Sequence, residues 1–193
     1  IPRMLDSRQR MHGGAFKSSV SRRCIEGHEK KSSLVFSLER MKICFILGPY
    51  RPGKCGISDY VDLLGNELAG RGHEILRITI DSSSLFDELS RDLPDADFYS
   101  IQFAPYAFAK RGLSGKSLLR FAQAIREKKT QVNFHEIWIG AYPRASWKEK
   151  FIGGWQKREI LKFLNLAQPQ VIHTSNPATI DRFKREGITY CFN

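Results

Sequence analysis

A buried-strand pattern that leads directly into a glycine-containing loop and a helix start restricts the fold of this chain more than any other feature. The segment 41–60 reads MKICFILGPYRPGKCGISDY, and its apolar run 43–47 predicts a strand. Glycines at positions 48, 53 and 56 lie in the loop before a helix that begins near Ser58. In α/β proteins this arrangement presents backbone N–H groups and a helix N-terminus to an anion, usually a phosphate. The segment therefore predicts a ligand site at the carboxyl end of the first strand.

Length and composition allow one α/β domain with a packed core. The chain has 193 residues, of which 41% are hydrophobic, and this is too short for two full α/β domains. The formal net charge is +11, but residues 1–40 hold nine Lys/Arg against four Asp/Glu, so the remainder is only mildly basic and nucleic-acid binding is not indicated. The four cysteines form no CxxC pair, which disfavours disulfides and zinc and favours a cytoplasmic location. No run approaches the roughly 20 apolar residues of a transmembrane helix.

The chain divides near Met41. Residues 1–40 are rich in Ser, Arg and Lys and show no sustained period, whereas Met41 directly precedes the first strand pattern. We interpret 1–40 as a disordered segment or an over-extended reading frame, with a transit peptide as the alternative. The domain is expected to span 41–193 and to be cut before a further domain, because ITYCFN after Gly187 resembles the opening of another strand.

Strand and helix patterns alternate from Met41 to the end of the chain, which predicts a Rossmann-like, doubly wound parallel sheet of the α/β class with helices on both faces. The long helical region is expected to be interrupted at the pair Gly153-Gly154. The predicted strands are about 42–47, 74–80, 97–103, 130–135 and 170–174, and the predicted helices about 58–71, 84–91, 115–128, 146–167 and 177–186.

The sequence of the glycine loop comes close to two known nucleotide-binding motifs without matching either. Residues 48–55, GPYRPGKC, nearly satisfy the GxxxxGK[ST] pattern of P-loop nucleoside triphosphatases. Cys55 replaces the hydroxyl that binds Mg²⁺, and a neutral thiol is a poor ligand for a hard cation. The glycine spacing does not fit the GxGxxG of dinucleotide sites, although Asp81 lies where a ribose-binding acid belongs. A P-loop-like NTPase remains an alternative function.

Several segments in order resemble the N-terminal domain of retaining GT-B glycosyltransferases of family 4. In 41–81 the match is Cys55-Gly56-Ile57 before the first helix and RGHEI after it. The later matches are the strand exit "IQ" in 95–108, the strand ending in His-Glu in 132–138, and the strand, Ser-containing turn and helix in 171–188. The resemblance covers about 41–193 and implies the acceptor-side half of a two-domain enzyme that takes a nucleotide-sugar donor as co-substrate, with no cofactor and no metal.

The resemblance also assigns roles to residues. The glycine loop is similar to the one that approaches the donor diphosphate, which implies phosphate binding by Gly53, Gly56, Ile57 and Ser58. A side chain at position 56 would block phosphate approach to the amides of residues 57 and 58 and to the positive end of the first helix. His135, at a strand end, would act at the reacting carbon as the catalytic residue.

The acceptor is expected to be a saccharide or a lipid-linked molecule, and the resemblance implies that Gln102, Tyr106 and Glu136 line its pocket. The acidic pair that holds the donor in the family's C-terminal domain has no counterpart here, so this fragment alone is expected to be inactive. A non-catalytic Rossmann-like module that acts through a partner chain is a further alternative.

The segment 144–164 carries Trp147, Phe151 and Trp155 at i, i+4 and i+8 among lysines and arginines. Packing of this helix face against the core is the interpretation that the spacing favours. Contact with an anionic membrane is the alternative, which would make the protein peripheral at the inner face of the membrane.

Overall fold

A computed structural model describes residues 39–109, 112, 114–189 and 191–192. The hypotheses for 1–40 therefore lie almost wholly outside the described residues. The strands are β1 (Lys42–Leu47), β2 (Glu74–Thr79), β3 (Phe98–Phe103), β4 (Thr130–Phe134), β5 (Val171–His173) and β6 (Cys191–Phe192). The helices are α1 (Gly56–Gly70), α2 (Ser83–Arg91), α3 (Pro105–Phe108), α4 (Gly115–Ile125), α5 (Trp147–Ala167) and α6 (Pro177–Arg185).

The strands form one sheet in the order β2-β1-β3-β4-β5-β6, and every neighbouring pair is parallel. This confirms the predicted fold class and the strand that begins after Gly187. The chain moves outward from β1 to β2, crosses back to β3, and then continues in the other direction. The order therefore reverses between β1 and β3, and a doubly wound sheet binds ligands at such a switch point, outside the carboxyl ends of its strands.

The two faces of the sheet carry different covers. Apolar side chains of β1 pack beneath α1 through Ile43, Phe45 and Leu47, which meet Val61. The opposite face holds the larger core, where α2, α4, α5 and α6 pack over alternate residues of the strands. Phe103 is central to it, because its ring lies 4.9–5.5 Å from those of Phe108, Phe134 and Phe163. Burial of a phenylalanine contributes about 1.5–3 kcal/mol to stability, so this aromatic cluster anchors the middle of the sheet.

The predicted interruption of the long helix at Gly153-Gly154 is wrong. Helix α5 runs unbroken through both glycines for 21 residues. A capping box at Ser146 and Glu149 fixes its start. Gly153 is buried, and a Cβ built there would lie 1.8 Å from the carbonyl oxygen of Ile139. The glycine therefore serves close packing of the helix on the loop that follows β4, rather than a break.

The core-packing interpretation of the aromatic residues of α5 is wrong. Trp147, Phe151 and Trp155 are 73%, 63% and 59% exposed. The helix buries another face, whose members include Gly153, Gln156, Ile160, Phe163, Leu164 and Ala167. The three aromatic side chains therefore line the solvent side.

Candidate functional site

A cleft of about 460 Å³ opens at the switch point of the sheet. It lies between the loop that follows β1 and the short helix α3 that follows β3. Gly48 permits this approach, since a Cβ there would lie 2.4 Å from the Cβ of Ala107. The lining residues are Leu47, Gly48, Pro49, Arg51, Lys54, Cys55, Ile57, Asp81, Tyr106, Ala107 and Ala109. A larger depression, of about 650 Å³, lies between the C-terminal halves of α2 and α4, away from this edge of the sheet.

The two loop glycines that were predicted to bind phosphate differ in their physical role. Gly53 has a φ of +71°, so the turn itself favours glycine, and its N–H donates to Asp59 Oδ1 at 2.6 Å. Gly56 is exposed at the first position of α1, has no positive φ, and a Cβ there would meet nothing within 4 Å. Neither backbone conformation nor packing requires glycine at position 56. Its absence of a side chain leaves open space beside the helix N-terminus.

The electrostatic field at this end of α1 favours an anion. The nearby backbone amides of Ser58 and Ile57 lower the pKa of the Cys55 thiol, as N–H groups at a helix N-terminus favour negative charge beside them. The side chains of Arg51 and Lys54 are exposed at the cleft. Ser58 itself is buried and its hydroxyl accepts the Arg51 N–H at 2.9 Å, so it fixes the loop and offers the ligand only its amide. The carboxylate of Asp81, and that of Asp59 in the first turn of α1, offset part of the charge of the two cations.

His135 lies next to the same helix. Its ring packs edge-on against Tyr60, with ring centroids 5.6 Å apart. Tyr60 follows Gly56 by four residues, so the two lie on the same side of α1, one turn apart. The structure therefore brings together the helix N-terminus and the histidine that the sequence placed at a strand end.

A buried polar network holds the imidazole of His135. Gln102 is fully buried, and its Oε1 lies 2.8 Å from His135 Nε2 and 3.2 Å from Asn133 Nδ2, while its Nε2 donates to Ser100 Oγ at 2.8 Å. An amide oxygen can only accept, and it lies closer to His135 Nε2 than the Asn133 amide nitrogen does at 3.4 Å, so this geometry favours the tautomer in which Nε2 carries the proton and donates to Gln102. The lone pair of the imidazole is then on Nδ1. Gln102, predicted to line the acceptor pocket, thus lies beneath His135 and has no exposed surface.

The remaining predicted site residues lie at the surface. Tyr106 is 47% exposed on α3 and lines the switch-point cleft. Glu136 is exposed in the loop after β4, next to His135. Sequence reasoning missed Arg51, Lys54 and Tyr60 as parts of the site. Arg51 and Lys54 lie beside the loop glycines in the sequence, and Tyr60 is at helical spacing from Gly56. The sequence therefore shows where these residues fall along the chain, but not which residues they contact in the fold.

We expect the stability of the domain to fall as the pH is lowered through about 6.5, in part through His135. Burial lowers the pKa of His135 below its ordinary value of 6.5, so the folded state binds fewer protons than the unfolded state near and just below that pH. Urea unfolding at pH 7.5 and 5.5 should show a larger loss for the natural chain than for His135→Gln. The carboxyls with lowered pKa, Asp87 and Glu149, titrate below this window. An identical loss in both proteins would contradict the prediction.

Comparisons with known proteins support the fold. An alpha-glucosyltransferase in complex with UDP and a 13-mer DNA containing a HMU base aligns with a TM-score of 0.50 and 11% identity, over 80% of this chain and 42% of that one. The domain has the fold of half a GT-B glycosyltransferase. An alpha-glucosyltransferase complex with UDP and mismatched DNA aligns at a TM-score of 0.48 and 14% identity, over 72% of this chain and 39% of that one. A proposed NADH-flavin reductase from Streptococcus pneumoniae TIGR4 aligns with a TM-score of 0.41 and 18% identity, over 69% of this chain and 70% of that one.

The chain spans about two fifths of the length of these glucosyltransferases. No family model and no curated protein matches it. Among the described residues, no three His, Cys, Asp or Glu side chains are grouped so that they could hold a metal ion. In the same part of the chain, no helix is long and apolar enough to cross a membrane.

Proposed function

We propose that this domain is the acceptor-side half of a glycosyltransferase that moves a sugar from a nucleotide-sugar donor to a saccharide or lipid-linked acceptor. The observation that carries the proposal is the unobstructed N-terminus of α1 at Gly56, one helical turn from the Tyr60 ring that contacts His135. The glucosyltransferase that aligns with a TM-score of 0.50 was solved in complex with UDP, which supports a nucleotide donor.

Each part of the site has a physical task in this proposal. The donor diphosphate approaches the amides of Ile57 and Ser58, where Arg51 and Lys54 add positive charge. Gly53 shapes the turn, and its amide is held by Asp59 rather than offered to the ligand. Gly56 keeps the approach clear. No metal is needed to neutralise the leaving diphosphate if the helix N-terminus and the two cations do so.

His135 acts at the reacting end. Its neutral imidazole, fixed by Gln102 with the proton on Nε2, offers Nδ1 as a hydrogen-bond acceptor for a sugar hydroxyl. Tyr106 on α3 and Glu136 next to His135 are exposed, and in this proposal they would contact the acceptor. Transfer itself requires the second domain that a GT-B enzyme uses to grip the donor, so the test of this half is ligand binding.

We expect UDP to shift the backbone amide signals of Ile57 and Ser58 in a ¹H–¹⁵N NMR titration of the natural chain, and Gly56→Val to weaken that binding at least tenfold. Valine at position 56 fills the space beside the amides, and its Cβ meets no atom of another segment within 4 Å. ADP, GDP and inorganic pyrophosphate, titrated in parallel, report which part of the donor is recognised.

Gly70→Val is the matched control. Gly70 ends the same helix, and a Cβ there also meets nothing within 4 Å, so the two variants make the same side-chain change at opposite ends of α1. Equal binding by both variants, or shifts confined to residues away from the start of α1, would refute the proposed donor site.

A further inference from the structure

The exposed side of α5 carries a line of aromatic residues. Trp147, Phe151 and Trp155 are separated by four residues each, so they follow one another along about 12 Å of helix, and the rings of Phe151 and Trp155 lie 5.9 Å apart. All three are more than half exposed. Leaving three large aromatic side chains in water on one ridge costs free energy, and such a patch marks a surface that something covers.

Basic residues surround this aromatic ridge, and its acidic neighbours are engaged elsewhere. Lys148 and Lys150 flank it at one end, and Arg158 and Lys162 continue the same exposed side. The Lys148 ammonium lies 5.7 Å from the centre of the Trp147 ring. The positive charge is not neutralised by the acids of the helix, which point to other partners.

Those acids are Glu149 and Glu159. Glu149 accepts hydrogen bonds from Tyr142 and Ser146 in the cap of the helix. Glu159 accepts the amides of Ser114 and Gly115 at 3.1 and 3.3 Å. The exposed surface of α5 therefore presents aromatic and cationic groups together.

A groove of about 350 Å³ adjoins the ridge between α4 and α5. Trp155 and Leu119 give it apolar walls, and Lys116, Arg158 and Lys162 place three cations at its rim. Glu159 also lines this groove, where its carboxylate is engaged by the amides of Ser114 and Gly115. This combination suits an amphiphile with an anionic head, because the apolar part meets the aromatic walls and the phosphate meets the cations.

We propose that the exposed side of α5 binds the surface of an anionic phospholipid bilayer, with Trp147, Phe151 and Trp155 inserted at the headgroup–acyl boundary and a lipid phosphate seated among Lys116, Arg158 and Lys162. A protein partner fits less well, because protein interfaces are depleted in lysine whereas anionic leaflets attract it. The proposal is independent of the proposed donor site.

The placement of α5 relates this surface to the site. The helix follows β4 and returns antiparallel to it, so its first turn, with Trp147, lies at the strand-end edge of the sheet where His135 emerges. Bilayer contact would hold that edge close to the headgroups. A lipid-linked acceptor would then reach the site without leaving the membrane surface.

Vesicle flotation of the full chain tests the proposal. The natural protein should float with vesicles of equal phosphatidylglycerol and phosphatidylcholine and bind pure phosphatidylcholine at least tenfold less. Replacing the three aromatic residues together by serine should lower binding to the anionic vesicles at least tenfold, and so should Arg158→Glu with Lys162→Glu. Because all five side chains are exposed, circular dichroism and the thermal midpoint should stay close to those of the natural protein.

Matched controls remove the two obvious confusions. Leu63→Ser removes an equally exposed apolar residue (75%) from α1, and Lys128→Glu with Lys129→Glu makes the same charge change at the opposite edge of the sheet; both should float like the natural chain. Residues 1–40 carry nine Lys/Arg, so flotation that survives the serine variant would come from elsewhere and overturn the proposal.

Depth is read from tryptophan fluorescence with lipids brominated on the acyl chains. Trp147 and Trp155 should be quenched, whereas Trp138, packed against Phe183 at 5.9 Å, should not. Trp147→Phe with Trp155→Phe should keep flotation and lose quenching. Absence of flotation at low salt would overturn the proposal in favour of a simply solvent-exposed surface. A natural protein that is a dimer and does not bind lipid, with a serine variant that is a monomer, would overturn it in favour of self-association.

Discussion

Gly153→Ala is expected to destabilise the domain by about 3 kcal/mol, the upper part of the range for overpacking a close contact. The added methyl group would lie 1.8 Å from the carbonyl oxygen of Ile139 and 2.9 Å from its carbonyl carbon. This neighbour is backbone, so no rotamer change relieves the overlap, and either α5 or the loop that follows His135 must move. For a domain of this size, the thermal midpoint should fall by about 6–12 °C.

Gly154→Ala, at the next residue, is expected to have the opposite effect and to stabilise the domain. A Cβ at position 154 meets nothing within 4 Å, so alanine there should raise the stability by about 0.5–1 kcal/mol through reduced backbone entropy of the unfolded chain. Thermal and urea unfolding of the two variants, measured side by side, check both signs. Two variants that change stability in the same direction would show that the contact with Ile139 does not govern this helix.

The fold class could be predicted because the strands have recognisable local sequence patterns. β1 is almost wholly buried, and such a strand reads as a continuous apolar run before a glycine-containing loop. The bounds of β1 agree with the prediction at both ends. The short α3 was missed because a single turn of helix has no periodicity to detect.

Helix α5 shows what periodicity cannot decide. Its sequence carries two candidate faces, and the aromatic one is the more apolar over the first two turns. The inner face begins instead with Gly153 and Gln156, which read as polar or as a break. Gln156 is nevertheless buried, and its Oε1 accepts the N–H of Ile139 at 2.8 Å. Close approach to the loop after β4, which is a tertiary property, determines which face turns inward.

The candidate site was predictable in part for a similar reason. The position of His135 at a strand end and of Gly56 at a helix start follow from local pattern. Their proximity does not, because it requires the jump from β2 to β3 that places β4 near α1. The role of Gln102 depends on register, since it pairs with Asn133 across β3 and β4, and no single-sequence signal gives that register.

Gln102→Met is expected to destabilise the domain by about 2–4 kcal/mol. It should also allow the His135 ring to populate both neutral tautomers. Methionine has a similar length but no amide, so the Nε2–H of His135 and the Nδ2–H of Asn133 lose their common acceptor in a buried setting. Each stranded donor costs about 1–3 kcal/mol. Urea unfolding measures the loss, and the ¹⁵N shifts of the His135 ring report where the proton lies.

The ring shifts separate positioning from mere packing. In the natural protein they should show the proton on Nε2, and in the variant they should show a mixture of the two tautomers. Gln131→Met is the matched control, because Gln131 lies on β4 two residues before Asn133, on the same face of the sheet, but is partly exposed, and it should change stability by less than about 0.5 kcal/mol. A His135 ring that keeps its proton on Nε2 without Gln102 would show that something other than this hydrogen bond orients it.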